Sequence, residues 1–127
     1  MILQKEKNEE CLIFEQKCSL LLQDDEIRFA GVVGRMGKLV AGGFKEGIMP
    51  FVDDAELLKM CMELALRVSM RREFDYTLGQ VKYSASRREK AVVMSFPINS
   101  NVLLVSIEPN VDIDKTAKKI MKMVGII

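Results

Sequence analysis

The spacing of apolar positions changes several times along the chain, and each spacing predicts a different kind of element. From about residue 4 to residue 23, apolar side chains recur every three or four positions, which predicts an amphipathic helix. Its inward-facing residues would be Cys11, Phe14, Cys18 and Leu21. The segment IRFAGVV at 27–33 then alternates with a period of two, and KLVAGGF at 38–44 follows a glycine-containing turn. These two segments predict two strands of a β-hairpin.

The most regular helical pattern lies in DDAELLKMCMELALRVSMRREF, residues 53–74. Asp53 or Asp54 is a suitable N-cap, and Gly79 is a stop signal after the helix. The main apolar stripe consists of Leu57, Met60, Cys61, Leu64, Ala65 and Val68. Three more apolar residues fall partly outside that stripe: Leu58, Met62 and Leu66. Because the helix is apolar on more than one face, we expect a second surface to be buried, with another subunit as the candidate to cover it.

The last third of the chain predicts three strands and a helix. QVKYSASRR at 80–88 alternates and is expected to form an edge strand, whereas AVVMSFPI and NVLLVSIEP are almost continuously apolar, as in strands covered on both faces. A closing amphipathic helix spans about 112–124. Its inward residues would be Ile113, Ala117, Ile120 and Val124, and its outward residues Lys115, Lys118, Lys119 and Lys122.

The element order is therefore α-β-β-α-β-β-β-α within one α+β domain spanning residues 1–127. We expect an N-terminal helix at about 4–23, a core at about 26–108 and a C-terminal helix at about 112–124. The predicted architecture is a five-stranded antiparallel sheet with helices on both faces.

The segment GVVGRMGKLVAGG at 31–43 contains five of the eight glycines and invites comparison with phosphate-binding loops. A P-loop needs a glycine where Val32 stands and a Ser or Thr where Leu39 stands, followed by a helix. A KH-type G-x-x-G loop must join two helices, but the flanking segments here are strand-like. The segment is therefore expected to be a hairpin turn, with Gly42 and Gly43 allowing a bulge or the close approach of a neighbouring element.

Composition excludes several kinds of chemistry. The 127 residues include no histidine, so Ser-His and Cys-His dyads and histidine metal ligands are ruled out. The three cysteines, Cys11, Cys18 and Cys61, are expected to be free thiols of a cytoplasmic protein. With a net charge of +1, no global field attracts nucleic acid or a membrane. We therefore predict no catalytic, cofactor-binding or metal-binding residues.

Local basic clusters are the remaining candidates for binding an anion. They are Arg71/Arg72, Arg87/Arg88 and the lysine face of the last helix. If the two arginine pairs lie together, they could bind phosphate. The favoured interpretation is that Arg71/Arg72 lie at an exposed helix end and Arg87/Arg88 at an exposed strand end. The lysines are then a solvated face of the last helix.

With the elements in this order, IRFAGVVGRMGKLVAGGF resembles the opening hairpin of roadblock-like domains, a dynein-light-chain-related branch of the profilin-like and longin-like folds. Gly34 stands where many members have Asp in a D-x-x-G turn. A closer resemblance joins IRFAGVVGRMGKLVAGG, ALRVSMRREF and GQVKYSASRREK to an uncharacterised family of small archaeal proteins, mostly from ammonia-oxidising lineages. It covers about residues 20–108 and implies no activity.

The roadblock resemblance implies a homodimer in which the strand after the central helix pairs with its twin and the two central helices pack together. It also implies a role as a scaffold or regulator of small Ras-like GTPases, including gliding-motility GTPases in prokaryotes. We accordingly predict a non-enzymatic, homodimeric module that binds a protein partner, with a small Ras-like GTPase as the implied partner. The predicted dimer interface consists of Leu58, Met62, Leu66, Val81, Tyr83 and Ala85.

Two alternatives stay open. The first is a small-molecule sensor of PAS-like or profilin-like type, in which the sheet curls around a ligand. The second is nucleic-acid binding through the lysine face, which would depend strongly on salt.

Overall fold

The fold follows the predicted order of elements with two short additions after the central helix. The computed structural model describes the backbone of residues 2–126 and the side chains of residues 9–126. Its main helices are α1 (Ile2–Leu22), α2 (Asp54–Arg71), α3 (Asp75–Leu78) and α4 (Ile113–Val124). Its strands are β1 (Ile27–Val33), β2 (Leu39–Phe44), β3 (Ser84–Arg87), β4 (Val92–Ile98) and β5 (Asn101–Ile107). A single 3₁₀ turn, Arg72–Phe74, connects α2 to α3.

The five strands form one antiparallel sheet in the order β2-β1-β5-β4-β3. The first core cluster joins α1 and α4 to one face of the sheet, and the second joins α2 to the other face. The predicted α+β class, the antiparallel five-stranded sheet and the helices on both faces are confirmed. Because β4 and β5 are covered on both faces, their sequences are almost continuously apolar, as predicted. β1 does not keep the predicted alternation in burial, because it too is covered on both faces and only Arg28 is half-buried.

The helix boundaries have local causes in the sequence. Asp53 caps α2 through a capping box, in which its carboxylate accepts from the Glu56 N–H at 2.8 Å and the Glu56 carboxylate accepts from the Asp53 N–H at 3.2 Å. Asp112 caps α4 by a single hydrogen bond, in which its carboxylate accepts from the Lys115 N–H at 3.0 Å. Gly79 ends α3 with a φ of 84°, as its position after the helical pattern predicts.

The glycine segment forms the predicted β1–β2 hairpin. Gly37 takes a φ of 80° in the turn, and the Gly34 N–H donates to the Lys38 carbonyl at 2.8 Å. The bulge lies near Val40, where the register shifts, rather than at the glycine pair. Gly42 instead permits close approach, since a Cβ atom there would lie 2.9 Å from the Sγ atom of Cys18 on α1.

The edge strand β3 is shorter than predicted. The sequence pattern predicts a strand over 80–88, but only Ser84–Arg87 pairs with β4. Continuing the observed register would place Lys82 opposite Pro97, which has no N–H to donate. The ladder ends at Ser84, before the chain reaches that position.

Candidate functional site

An unpaired apolar stripe runs along the outward face of α2 and its 3₁₀ extension. The inward face of α2 buries Cys61 and Leu64 against the sheet, as the main apolar stripe predicts. On the outward face, every fourth residue is apolar and remains between 55% and 62% exposed. These residues are Leu58, Met62, Leu66, Met70 and Phe74. We call this set the α2 stripe; a contiguous exposed apolar stripe is a candidate interaction surface.

The structure divides the six predicted interface residues between two surfaces. Leu58, Met62 and Leu66 belong to the α2 stripe, and Val81 lies half-buried near the end of α2. Tyr83 and Ala85 belong to the opposite side of the sheet. The sequence pattern predicts that Val81, Tyr83 and Ala85 share one face of a strand. Regular pairing with β4 begins only at Ser84, so Val81 lies outside the strand and need not share the face of Tyr83 and Ala85.

Tyr83 contacts the α4 side of the sheet. Its ring lies 6.0 Å from the ring of Phe96, and its hydroxyl donates to the carboxylate of Asp114 on α4. That hydrogen bond, together with the negative charges of Asp114 and Asp112, raises the pKa of the Tyr83 hydroxyl. Ala85 pairs with Met94, whose side chain lies in the core beneath α1 and α4. Tyr83 and Ala85 therefore lie at the β3 edge of the sheet, on the face opposite the α2 stripe.

Three arginines meet in a cleft at the C-terminal end of α2. Arg71 and Arg72 come from α2 and the 3₁₀ turn, and Arg35 comes from the β1–β2 turn. The cleft has a volume of about 380 Å³ and is walled by the β4–β5 turn at Asn99 and Ser100. The Nη1 atom of Arg71 donates to the Ser84 hydroxyl at 2.8 Å, which holds Arg71 against the sheet.

The two predicted arginine pairs do not come together. Arg87 lies on the other side of β3, where it donates to the Pro109 and Val111 carbonyls beside the start of α4. Sequence reasoning missed Arg35 as the partner of Arg71 and Arg72. The only local signal was a basic residue between the glycines of GRMGK, and spacing along the chain could not place that turn against the end of α2.

The C-terminal lysine face is exposed at three of its four predicted positions, Lys115, Lys118 and Lys122. The fourth differs: Lys119 is half-buried and forms ion pairs with Asp24 at 2.8 Å and Glu26 at 3.5 Å. Burial of the Asp24 carboxylate opposes its ionisation, but hydrogen bonds from Lys119 and the Glu26 N–H outweigh that cost and lower its pKa. Lys119 therefore fixes α4 to the α1–β1 loop.

The thiols belong to the core rather than to a reactive centre. Cys18 and Cys61 are buried, Cys11 is half-buried, and all three are free. Burial and the negative charge of Glu15 raise the pKa of the Cys18 thiol to about 11. Burial also raises the pKa of Cys61. Both thiols are thus held in the unreactive protonated form.

The described residues carry neither a metal-binding cluster nor a membrane span. Within residues 9–126, no three His, Cys, Asp or Glu side chains are grouped in a way that could hold a metal ion. No helix in the described part of the chain is long and apolar enough to cross a membrane.

Comparison with known proteins gives one sequence match and several structural ones. Residues 7–126 match the profile of a family of unknown function, DUF6659. No curated protein matches the sequence. The family description names no source organism, so the archaeal origin stays a prediction.

Solved roadblock structures share the fold. The roadblock/LC7 domain from Streptomyces avermitilis gives a TM-score of 0.65 at 13% identity, over 87% of this chain and 91% of that chain. MglB from Myxococcus xanthus gives a TM-score of 0.69 at 17% identity, over 92% of this chain and 86% of that chain. The gliding protein MglB from Thermus thermophilus gives a TM-score of 0.68 at 14% identity, over 88% of this chain and 84% of that chain. The predicted roadblock-like architecture is confirmed at the level of the fold.

Proposed function

Because the chain belongs to the family of unknown function DUF6659 and has the fold of roadblock/LC7 domains, we propose that it is a non-enzymatic homodimeric scaffold that binds a protein partner. The observation that carries the proposal is the α2 stripe. A small Ras-like GTPase is the partner class that the roadblock resemblance implies.

The chemistry of the stripe favours a second copy of the same helix as its cover. Five apolar side chains at a spacing of four form one continuous ridge along α2 and the 3₁₀ turn, inclined to the helix axis because four residues slightly exceed one turn. A two-fold dimer brings the same patch of each copy together, so a self-complementary ridge suits it. Contact between the two stripes would bury the apolar surface of both copies away from water, which favours association.

The charges on α2 favour an antiparallel arrangement. The first turn carries Asp54 and Glu56, and the last turn carries Arg71. In an antiparallel pair, the acidic start of one helix faces the basic end of the other, and the helix dipoles also oppose each other favourably. A parallel pair would place like charges side by side.

The β3 edge supplies a second contact for the same dimer. In the described sheet β3 pairs only with β4, so one row of its backbone N–H and C=O groups faces outward. Pairing of β3 with its twin would continue the sheet across the two-fold axis. It would also bring Tyr83 and Ala85 of both copies to the junction, on the face opposite the α2 stripe.

Light scattering coupled to size exclusion tests the dimer. The wild-type chain should have twice its 14.4 kDa mass, and Met62→Glu should be monomeric because a carboxylate in the apolar ridge would lose hydration without gaining a partner. Met49→Glu is the matched control, since Met49 is 80% exposed but lies in the β2–α2 loop, away from the stripe. An unchanged dimer in Met62→Glu would exclude this interface.

Affinity capture from the native cell tests the partner. Wild-type bait and Met62→Glu bait are compared, with bound proteins identified by mass spectrometry. Enrichment of a small GTPase on the wild-type bait would support the proposal. Reproducible enrichment of other proteins alone would contradict the GTPase assignment while leaving the dimer result intact.

A further inference from the structure

The cleft at the end of α2 gathers positive charge from two distant parts of the chain. Arg35 reaches it from the β1–β2 turn, and Arg71 and Arg72 reach it from the end of the central helix. Its volume of about 380 Å³ falls within the range typical of small-molecule sites, about 300–1,000 Å³. A cleft of this volume can hold a compact ligand.

The arginines of this cleft outnumber its one lining carboxylate and form no close ion pair with it. Among the described side chains, no carboxylate oxygen lies within 4.0 Å of Arg35, Arg71 or Arg72, although Asp75 also lines the cleft. By contrast, Arg28 pairs with Glu108 at 3.1 Å. Three guanidinium groups lining one cleft repel each other, and a bound anion would relieve that repulsion.

The donors around the cleft are suited to phosphate oxygens. Arg71 uses one N–H on the Ser84 hydroxyl, so its remaining donors are available and its position is fixed. The hydroxyl of Ser100 and the amide of Asn99 lie on the wall formed by the β4–β5 turn. A planar guanidinium group can donate two N–H groups to two oxygens of one phosphate. Several guanidinium groups together suit a ligand that carries more than one negative charge.

We propose that this cleft binds a small phosphate-bearing ligand through Arg35, Arg71 and Arg72. The other basic surfaces lack this arrangement. Arg87 uses donors on the Pro109 and Val111 carbonyls, and the exposed lysines of α4 lie along an open helix face. Ligand binding at the cleft is separate from the proposed scaffold function, although Val81 lines the cleft and also belongs to the predicted dimer interface.

Calorimetric titration with inorganic pyrophosphate in a low-salt buffer free of phosphate tests the proposal. The wild-type chain should bind with a Kd of about 1 mM or tighter. Arg35→Gln/Arg72→Gln should bind at least about tenfold more weakly, because two charge-assisted contacts are lost. Both side chains are exposed, so their replacement leaves the core intact.

Lys118→Gln/Lys122→Gln is the control, since it removes the same charge from the exposed face of α4. It should retain the wild-type affinity. Equal losses in both double variants would overturn the proposal, because they would indicate general electrostatic attraction. Absence of saturable binding to the wild-type chain would overturn it as well.

A parallel titration with ATP distinguishes the sources of the phosphate. Equal affinity for ATP and pyrophosphate would indicate recognition of the phosphates alone, and tighter ATP binding would indicate added contacts to the nucleoside. Light scattering on each variant separates loss of binding from loss of the dimer. A dimeric Arg35→Gln/Arg72→Gln variant that no longer binds would support the cleft independently of the proposed scaffold function.

Discussion

Replacement of Gly42 by Ala should destabilise the protein strongly, because this residue has a positive φ and packs tightly against the backbone of β1 and against α1. Gly42 has a φ of 85°, which costs a residue with a side chain about 1–2 kcal/mol. An added Cβ would lie 2.1 Å from the Ala30 carbonyl oxygen and 2.9 Å from the Cys18 Sγ atom, so strand or helix must shift. Overpacking of this kind adds about 1–3 kcal/mol. The expected total, about 2–5 kcal/mol, is a large share of the roughly 5–15 kcal/mol that stabilises a typical domain.

Urea unfolding followed by circular dichroism measures this loss, and the adjacent glycine provides the control. A Cβ on Gly43 would meet no atom within 4 Å, and its φ is not positive. Gly43→Ala should therefore change the unfolding free energy by less than about 1 kcal/mol. If Gly42→Ala and Gly43→Ala unfold at the same urea concentration, the tight packing of Gly42 against β1 and α1 is wrong.

Three further predictions concern the helix cap, the thiols and acid stability. Asp53→Ala should lower the unfolding free energy in urea by about 1 kcal/mol through loss of the capping box, and an unchanged midpoint would contradict that role. At pH 8, Cys11 should react with a thiol reagent in the native state, whereas Cys18, with a pKa of about 11, should react only after unfolding. Because the folded-state pKa of Asp24 is lowered from 3.8, its stabilising contribution is complete above that pH and is lost as the pH falls through the folded-state value. Asp24→Asn should therefore flatten the acid limb of stability against pH, and an unchanged slope would show that pairing with Lys119 contributes nothing.

Local patterns predict most of this fold because its elements have local causes. The capping box at Asp53 and the stop at Gly79 depend on neighbours within a few residues. The continuous apolar runs in β4 and β5 reflect burial on both faces. The premature end of β3 could not be predicted in this way, since it depends on which residue of another strand faces Lys82.

The candidate sites show the same division. The spacing of Leu58, Met62 and Leu66 is a local property of one helix, so the sequence alone predicts an apolar surface there. The grouping of Arg35 with Arg71 depends on how a hairpin turn packs at the end of a helix more than thirty residues later. The pairing of Lys119 with Asp24 has the same long-range origin, and helical periodicity alone places that lysine in solvent.

The central claim, that a second copy of this chain covers the α2 stripe, is tested most directly by isotope-filtered nuclear Overhauser spectroscopy. The sample mixes protein carrying ¹³C-methyl methionine with unlabelled protein. Met62 and Met70 lie on the stripe, whereas Met49 is exposed away from it. The account predicts contacts between protomers from the methyl groups of Met62 and Met70 and none from Met49. Contacts from Met49 alone, or none from Met62 and Met70, would contradict it.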